Sequence, residues 1–383
     1  MNEVCIVSAK RTPFGRFLGS LSRLSAVDLA CHSGEAALSG LDRSKIDQVI
    51  IGNILSAGQG MNIARQVGVK LDLPVTSPAF TVNMMCASGM QAIALAAQAI
   101  RAGESSVVLC GGTESMSNAP HLLPRSRSGI KLGDGKLVDS ILRDGLVDSF
   151  DHTHMAMTAE ALASEYAISR EEQDAFAAAS QSRYQSAQKS EVFVDEVSPL
   201  EALADDEHPR ADTTVDSLAG LKPAFDPEGS VTAGNASGLN DGSAMLLLCS
   251  REAAKANDWP VLAVITGTAS VGCDPRRMGL GPVFAIRKLL EQSGRALESF
   301  DGIEINEAFA VQVLACLRDL QLDSDRINSH GGAIALGHPI GASGARIVTH
   351  LAHQIHRRKI DSGLASLCVG GGMGSAIKLD RPS

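Results

Sequence analysis

Apolar residues along the chain follow two rhythms. Short β-branched runs at 4–8, 49–55, 107–111, 261–268 and 364–370 have the length and composition of strands. Longer stretches between them keep helical spacing, as at Met90, Ile93, Ala97 and Ile100, and again at Ile347, Leu351 and Ile355. Entry signals mark several helices: Ser25 precedes an apolar-periodic segment, Ser169 is followed three residues on by Glu172, and Pro282 precedes AIRKLLEQSG. Strands alternating with helices predict an α/β fold whose sheets are covered by helices.

The pattern also repeats. Ser88-Gly89 opens an apolar helix, and the next strand ends in Cys110-Gly111-Gly112; Ser343-Gly344 opens another, and the next strand ends in LCVGGG with Cys368 in the place of Cys110. The separations are 22 and 25 residues, and two copies suit two halves of a duplicated fold better than a solenoid. Between 119 and 238 the rhythm breaks into a charged, Pro- and Ser-containing segment with two helices and few strand signals. An excursion that long inside a compact domain reads as a lid or binding element rather than an idle surface loop.

Composition narrows the function. A chain of 383 residues exceeds one ordinary core, and 44% hydrophobic with 20% charged residues is a globular balance. A net charge of −9 argues against broad nucleic-acid or membrane-surface binding, while leaving room for a local basic patch. One Trp and two Tyr beside 37 Gly leave no base-stacking platform. The N-terminal MNEVCIVSAKRTPFGRF carries an apolar run too short for a signal-peptide core or a membrane span, so export is not expected. Eight cysteines without a CxxC pair predict a reducing, cytoplasmic setting.

Few residues stand out chemically. Cys86 precedes a predicted helix, where free backbone N–H groups and the helix dipole favour thiolate; a buried inert thiol is the plain alternative. His338 lies in the Gly-rich GGAIALGHPIGASGAR, which lets a ring approach a ligand closely, whereas His208 and His356 read as surface residues. Cys368 ends a strand before Gly370, Gly371 and Gly372, where amides can converge on an anion, or it is a packed strand cysteine like Cys110. Asn306 reads as a helix N-cap. The loop GNASGLNDG at 234–242 lacks the Lys-Ser/Thr of a P-loop and the GxGxxG of a dinucleotide fold. His152 and His154 have no third ligand at a zinc spacing, so no metal is expected.

As an ordered set, NMMCASGMQAI, HMAMTAE, TAGNASGLNDG, INEAFA, GGAIALGHPIGASGAR and CVGGGMG resemble the thiolase family over essentially the whole chain. The resemblance implies a duplicated five-layered αβαβα fold: an N-terminal half of 1–118 plus 239–261, a CoA-binding loop domain of 119–238 and a C-terminal half of 262–383. It gives Cys86 the role of acyl-accepting nucleophile, His338 that of its base and Cys368 that of a second acid/base thiol. His338 with a water held by Asn306 would serve the enolate, and the amides of Cys86 and Gly370 the acyl-enzyme adduct. It places Ser237 near the pantetheine, Arg210 and Ser217 toward the nucleotide, and Leu146, Met155, Phe225 and Met278 as apolar walls. His154 would line the acyl pocket, and Ala308 and Phe309 would be substrate- or CoA-binding residues. The chain departs from the family pattern at Ala156, where Gly is usual, and at Phe284, where Pro often follows GPV.

The implied reaction is condensation of two acetyl-CoA to acetoacetyl-CoA and CoA, or the reverse thiolysis, with CoA thioesters as substrates and no tightly bound cofactor. Cys368 favours a thiolase over the ketoacyl-ACP synthases, and an intact Cys86, His338 and Cys368 set argues against a non-catalytic acyl-CoA or lipid carrier. GNASGLND and MGLGP look more like acetoacetyl-CoA thiolases than long-chain β-oxidation enzymes. By resemblance the chain forms a homo-oligomer, a dimer or homotetramer.

Overall fold

The computed structural model describes residues 3–382; Met1, Asn2 and Ser383, which end the amino-terminal segment and the two expected halves, lie outside them. The first half runs β1 (Val4–Arg11), β2 (Gly15–Arg16), α1 (Ala26–Ala37), β3 (Gln48–Gly52), α2 (Ile63–Lys70), β4 (Ala79–Val82), α3 (Ser88–Ala102) and β5 (Val107–Ser115). The excursion holds β6 (His121–Leu122), β7 (Val138–Asp139), α4 (Met155–Glu165), α5 (Arg170–Lys189) and α6 (Val215–Ala219). Then follow β8 (Asn240–Ser250), α7 (Arg251–Ala256), β9 (Ala263–Gly272), α8 (Gly281–Ser293), β10 (Gly302–Ile305), α9 (Ala310–Leu320), α10 (Ala333–Leu336), α11 (Ser343–His356), β11 (Ser362–Val369) and β12 (Met373–Asp380).

Local chemistry explains the boundaries. Ser25 and Ser169 both form capping boxes, with Asp28 and Glu172 reaching back to the cap N–H. Gly103, at φ +77°, ends α3 in the left-handed conformation that glycine adopts without strain. Of GNASGLNDG only 234–239 is loop, because Asn240, Asp241 and Gly242 already pair in β8.

Ten strands hydrogen-bond in the order β10-β11-β12-β9-β1-β8-β5-β3-β4, with β2 beside β8. The repeat is visible in the pairing. β3 lies parallel to β5, which runs antiparallel to β8, which runs antiparallel to β1; β10, β11, β12 and β9 reproduce these relations in turn. Helices α3 and α11 lie between the two halves, packing a shared core with Ile50, Val108 and Leu246 on one side and Ala365, Leu367 and Ile377 on the other. The outer face of the first half packs against α1 and α2, and that of the second against α8 and α9. The result is five layers, helix on sheet on helix on sheet on helix.

Two features of this frame position the site. The central helices approach at backbone distance: a Cβ at Gly89 would lie 2.9 Å from Ala345 N, and one at Gly344 would lie 2.7 Å from Met90 N. Their starts therefore meet, with Cys86 just before α3 and His338 in the loop before α11. The excursion is also tied to the frame by buried charge. Arg11 on β1 binds Glu196 at 2.8 Å and Asp206 at 2.7 and 3.0 Å, while His350 on α11 lies 2.8 Å from Glu196. Charges this deep persist only when fully paired.

Candidate active site

Cys86 sits in a turn held in an uncommon shape. Met85 has φ +44°, a conformation costing a non-glycine residue about 1–3 kcal/mol. The turn is fixed by Asn83, whose Oδ1 accepts Met85 N–H at 2.9 Å, and by Ser88, whose Oγ accepts Met84 N–H at 2.9 Å and donates to Met85 O at 2.6 Å. The thiol is buried, and that burial pushes its pKa up to about 11 against the pull of the Gly370 and Cys86 backbone N–H groups. The expectation of a thiolate at the helix start is thereby corrected. Desolvation outweighs the amides, and the resting thiol is protonated.

His338 is oriented as a base. Its Nδ1 lies 2.6 Å from Ser343 Oγ, which itself donates to Pro339 O at 3.1 Å. Nδ1 therefore carries the proton and donates, leaving Nε2 with a free lone pair. Nε2 is buried without a protein partner, and burial, with Arg346 as a lesser cause, lowers the pKa to about 4. The backbone N–H of His338 donates to Asn240 Oδ1 at 2.9 Å, and a Cβ at Gly337, whose φ is +101°, would lie 2.4 Å from Asn240 Cγ.

Cys368 is the penultimate residue of β11 and packs with Met155, Met278 and Ala308. Burial, with Cys86 nearby as the next cause, holds its thiol well above the usual range. The tip of Met155 packs directly on Gly370, where a Cβ would lie 2.2 Å from Met155 Cε.

Asn306 is not a helix N-cap. Helix α9 begins at Ala310 with Phe309 at the cap position, and Asn306 is fully buried with both amide atoms free of protein partners. An amide so placed is available to a ligand atom or a bridging water.

Cys86, His338, Cys368 and Gly370 meet in a cavity of about 430 Å³, whose lining does not include Asn306. Leu146, Met155, Phe225, Met278, Ala308 and Phe309 contribute apolar wall, and His154, Ser237 and Arg210 also line it. His154 stacks on Phe225 with centroids 4.5 Å apart and caps α4 through Nδ1. Ser237 is stitched to Ala308 O through its N–H at 3.0 Å and its Oγ at 3.1 Å. Ser217 does not line the cavity; it is exposed on α6, in a capping box with Thr214. Ala156 and Phe284 also lie outside the lining, so the two departures from the family pattern do not shape this wall. His152 and His154 gain no third ligand: among the described residues no trio of His, Cys, Asp or Glu is placed to hold a metal.

Sequence reasoning missed two residues. His208 was expected at the surface, yet it is half-buried in the cavity wall. Its spacing two before Arg210 was the available signal, since an extended chain turns both side chains the same way. Glu114, buried at the end of β5, accepts the N–H groups of Ile54, Leu55 and Gly341 and the amide of Asn53, so it anchors the loop carrying His338 to the first half.

Chemically, the cavity offers a thiol, a neutral imidazole, a second thiol and converging amides, the set for covalent acyl transfer. A raised thiol pKa has a measurable sign. Below about 11 the thiolate fraction of Cys86 grows with pH, so its alkylation by iodoacetamide should still be rising steeply from pH 7 to 9. A rate already level at pH 7 would show a preformed thiolate.

Two family models match the chain: thiolase N-terminal domain over residues 4–252 and thiolase C-terminal domain over 259–381. The acetyl-CoA acetyltransferase of Pseudomonas aeruginosa is 51% identical, the match covering 100% of both chains. The crystal structure of human mitochondrial 3-ketoacyl-CoA thiolase superposes with a TM-score of 0.97 at 44% identity, covering 100% of this chain and 99% of that one. The Bacillus anthracis acetyl-CoA acetyltransferase structure matches with the same TM-score, identity and coverage. With both domain models matched in order along nearly its whole length, the chain belongs to the thiolase family.

Proposed function

We propose that this chain is an acetyl-CoA C-acetyltransferase that interconverts two acetyl-CoA with acetoacetyl-CoA and CoA through an acyl group on Cys86. The observation carrying the reading is that Cys86, the free Nε2 of His338 and Cys368 line one cavity with the Gly370 amide directed at the Cys86 sulfur. In thiolysis, His338 takes the Cys86 proton as Sγ attacks the 3-keto carbon, and the Cys86 and Gly370 amides hold the oxyanion. The C2–C3 bond breaks, its electrons form the acetyl-CoA enolate, and the neutral Cys368 thiol protonates C2. The imidazolium of His338 and a water on Asn306 hold the enolate oxygen. His338 then returns its proton to the Cys368 thiolate, takes the proton of the incoming CoA thiol as that sulfur attacks acetyl-Cys86, and passes it to the departing Cys86 sulfur. Condensation runs through the same steps backward.

The CoA arm is read along Leu146, Phe225, Ser237 and Phe309, with Arg210 and Ser217 toward the nucleotide and 119–238 as the loop domain. The acyl end is small: Met155 and Met278 pack on Cys368, and the tip of Met155 lies against Gly370. Self-association has two supports. Strand β4 is an open sheet edge beside exposed Val75, Phe80 and Met61, which suits pairing with a second copy. The β6–β7 arm exposes Ile130, Leu132 and Leu137, a surface for joining dimers into a tetramer. Eight free cysteines, one of them the nucleophile, fit the reducing cytoplasm. No helix among the described residues is long and apolar enough to cross a membrane.

The test is CoA-dependent cleavage of acetoacetyl-CoA against longer 3-ketoacyl-CoAs. We expect kcat/KM to favour acetoacetyl-CoA by at least about tenfold, since a full pocket rejects added methylenes. Preference for the longer chains would assign the enzyme to β-oxidation instead.

A further inference from the structure

His208 shares the cavity wall with Arg210, Ser237 and His338 but takes no part in the chemistry above. The two residues before it are firmly held. Asp206 accepts the two terminal Arg11 guanidinium nitrogens and the Phe14 N–H at 2.8 Å. Glu207 accepts the Arg16 N–H at 2.9 Å and the Ser20 hydroxyl at 2.7 Å, and its own N–H donates to Phe14 O at 2.9 Å. The imidazole is thereby delivered against Gly238, where a Cβ would lie 2.2 Å from His208 Cε1.

The ring's tautomer follows from its neighbour. Asn240 Oδ1 accepts the His338 N–H, so its Nδ2 is the atom that donates to Gly15 O at 2.8 Å and faces His208 Nδ1 at 3.4 Å. An amide nitrogen only donates, so Nδ1 accepts and the ring proton sits on Nε2. That Nε2–H has no partner among the described residues. Burial, with Arg210 and Arg16 as lesser causes, holds the pKa down at about 4, so the donor is neutral. Of the wall hydroxyls, Ser237 Oγ donates to Ala308 O and Thr232 Oγ1 accepts Gly234 N–H; the other wall imidazole, His154, is stacked on Phe225 with Nδ1 accepting Ala156 N–H.

A fixed, uncharged donor in an apolar wall suits an uncharged carbonyl oxygen, whereas a phosphate suits the guanidinium of Arg210. We propose that His208 is a substrate-binding residue whose Nε2–H donates to an amide carbonyl of the pantetheine arm of the CoA thioester. This rests on the thiolase reading. Such a bond is made equally in ground and transition states, so it acts on KM rather than kcat.

The test compares His208→Leu, which removes the donor, with His208→Gln, which keeps an N–H at similar reach. The substrates are acetoacetyl-CoA and S-ethyl acetothioacetate, which has no arm. His208→Leu should raise KM for acetoacetyl-CoA on the order of five- to tenfold with little change in kcat. His208→Gln should recover most of that loss, and kcat/KM on the armless thioester should fall far less. Equal losses on both substrates, a fall in kcat alone, no recovery with Gln, or no effect would overturn the proposal. Wild-type failure to cleave acetoacetyl-CoA would sink the acetyl-CoA C-acetyltransferase reading instead. Calorimetric CoA binding to the wild type and His208→Leu would then decide His208 alone: several-fold weaker binding supports it, equal binding overturns it.

Discussion

Cys86→Ala is expected to lower turnover of acetoacetyl-CoA by at least about 10⁴-fold, because loss of a covalent nucleophile removes the reaction path rather than one contact on it. CoA binding should change by less than about threefold, since the apolar wall and Arg210 remain. The structure explains why no other group substitutes. The Met85 turn and its bonds from Asn83 and Ser88 exist to hold residue 86 at the mouths of both central helices, where the Gly370 amide and His338 converge. Loss of radiolabelled acetyl transfer to the protein and loss of turnover should occur together. Normal turnover by Cys86→Ala would overturn the covalent mechanism.

Cys368→Ala should separate the two halves of the reaction. Cleavage adds a proton at C2 and condensation removes one, and loss of a positioned general acid or base costs about 10²–10⁴-fold. Exchange of labelled CoA into acetyl-CoA forms and breaks only the Cys86 thioester, which His338 serves, so exchange should persist within about tenfold of wild type. His338→Ala should lose both activities. The environment of Cys368 supports an acid: buried among Met155, Met278 and Ala308, its thiol stays protonated until an enolate forms beside it. A parallel fall of exchange and cleavage in Cys368→Ala would mean that Cys368 supports the pocket and does no separate proton work.

The sequence carried a good deal of this by itself. β-branched runs marked five of the sheet strands because buried strands need them, and Ser25 and Ser169 announced two helices through capping boxes whose partners are local. The Ser-Gly repeats at Ser88 and Ser343 exposed the duplication, because each half needs small residues where α3 meets α11. The glycines around His338 and after Cys368 pointed to close backbone approach, and the structure shows why at Gly337 and Gly370.

What the sequence misjudged depends on residues far apart in the chain. Asn306 resembled a cap because capping is a local pattern, but its burial comes from the surrounding layers, which left α9 to begin at Ala310. His208 resembled a surface residue in a charged stretch until Arg11, Phe14 and Arg16 fixed its neighbours and Gly238 admitted its ring. The Cys86 charge state was read from the helix start alone, whereas desolvation by the assembled cavity decided it. The order of residues determined the elements, the repeat and which side chains are candidates for the chemistry. Only the tertiary structure decided their protonation and company, because burial is set by all the layers at once.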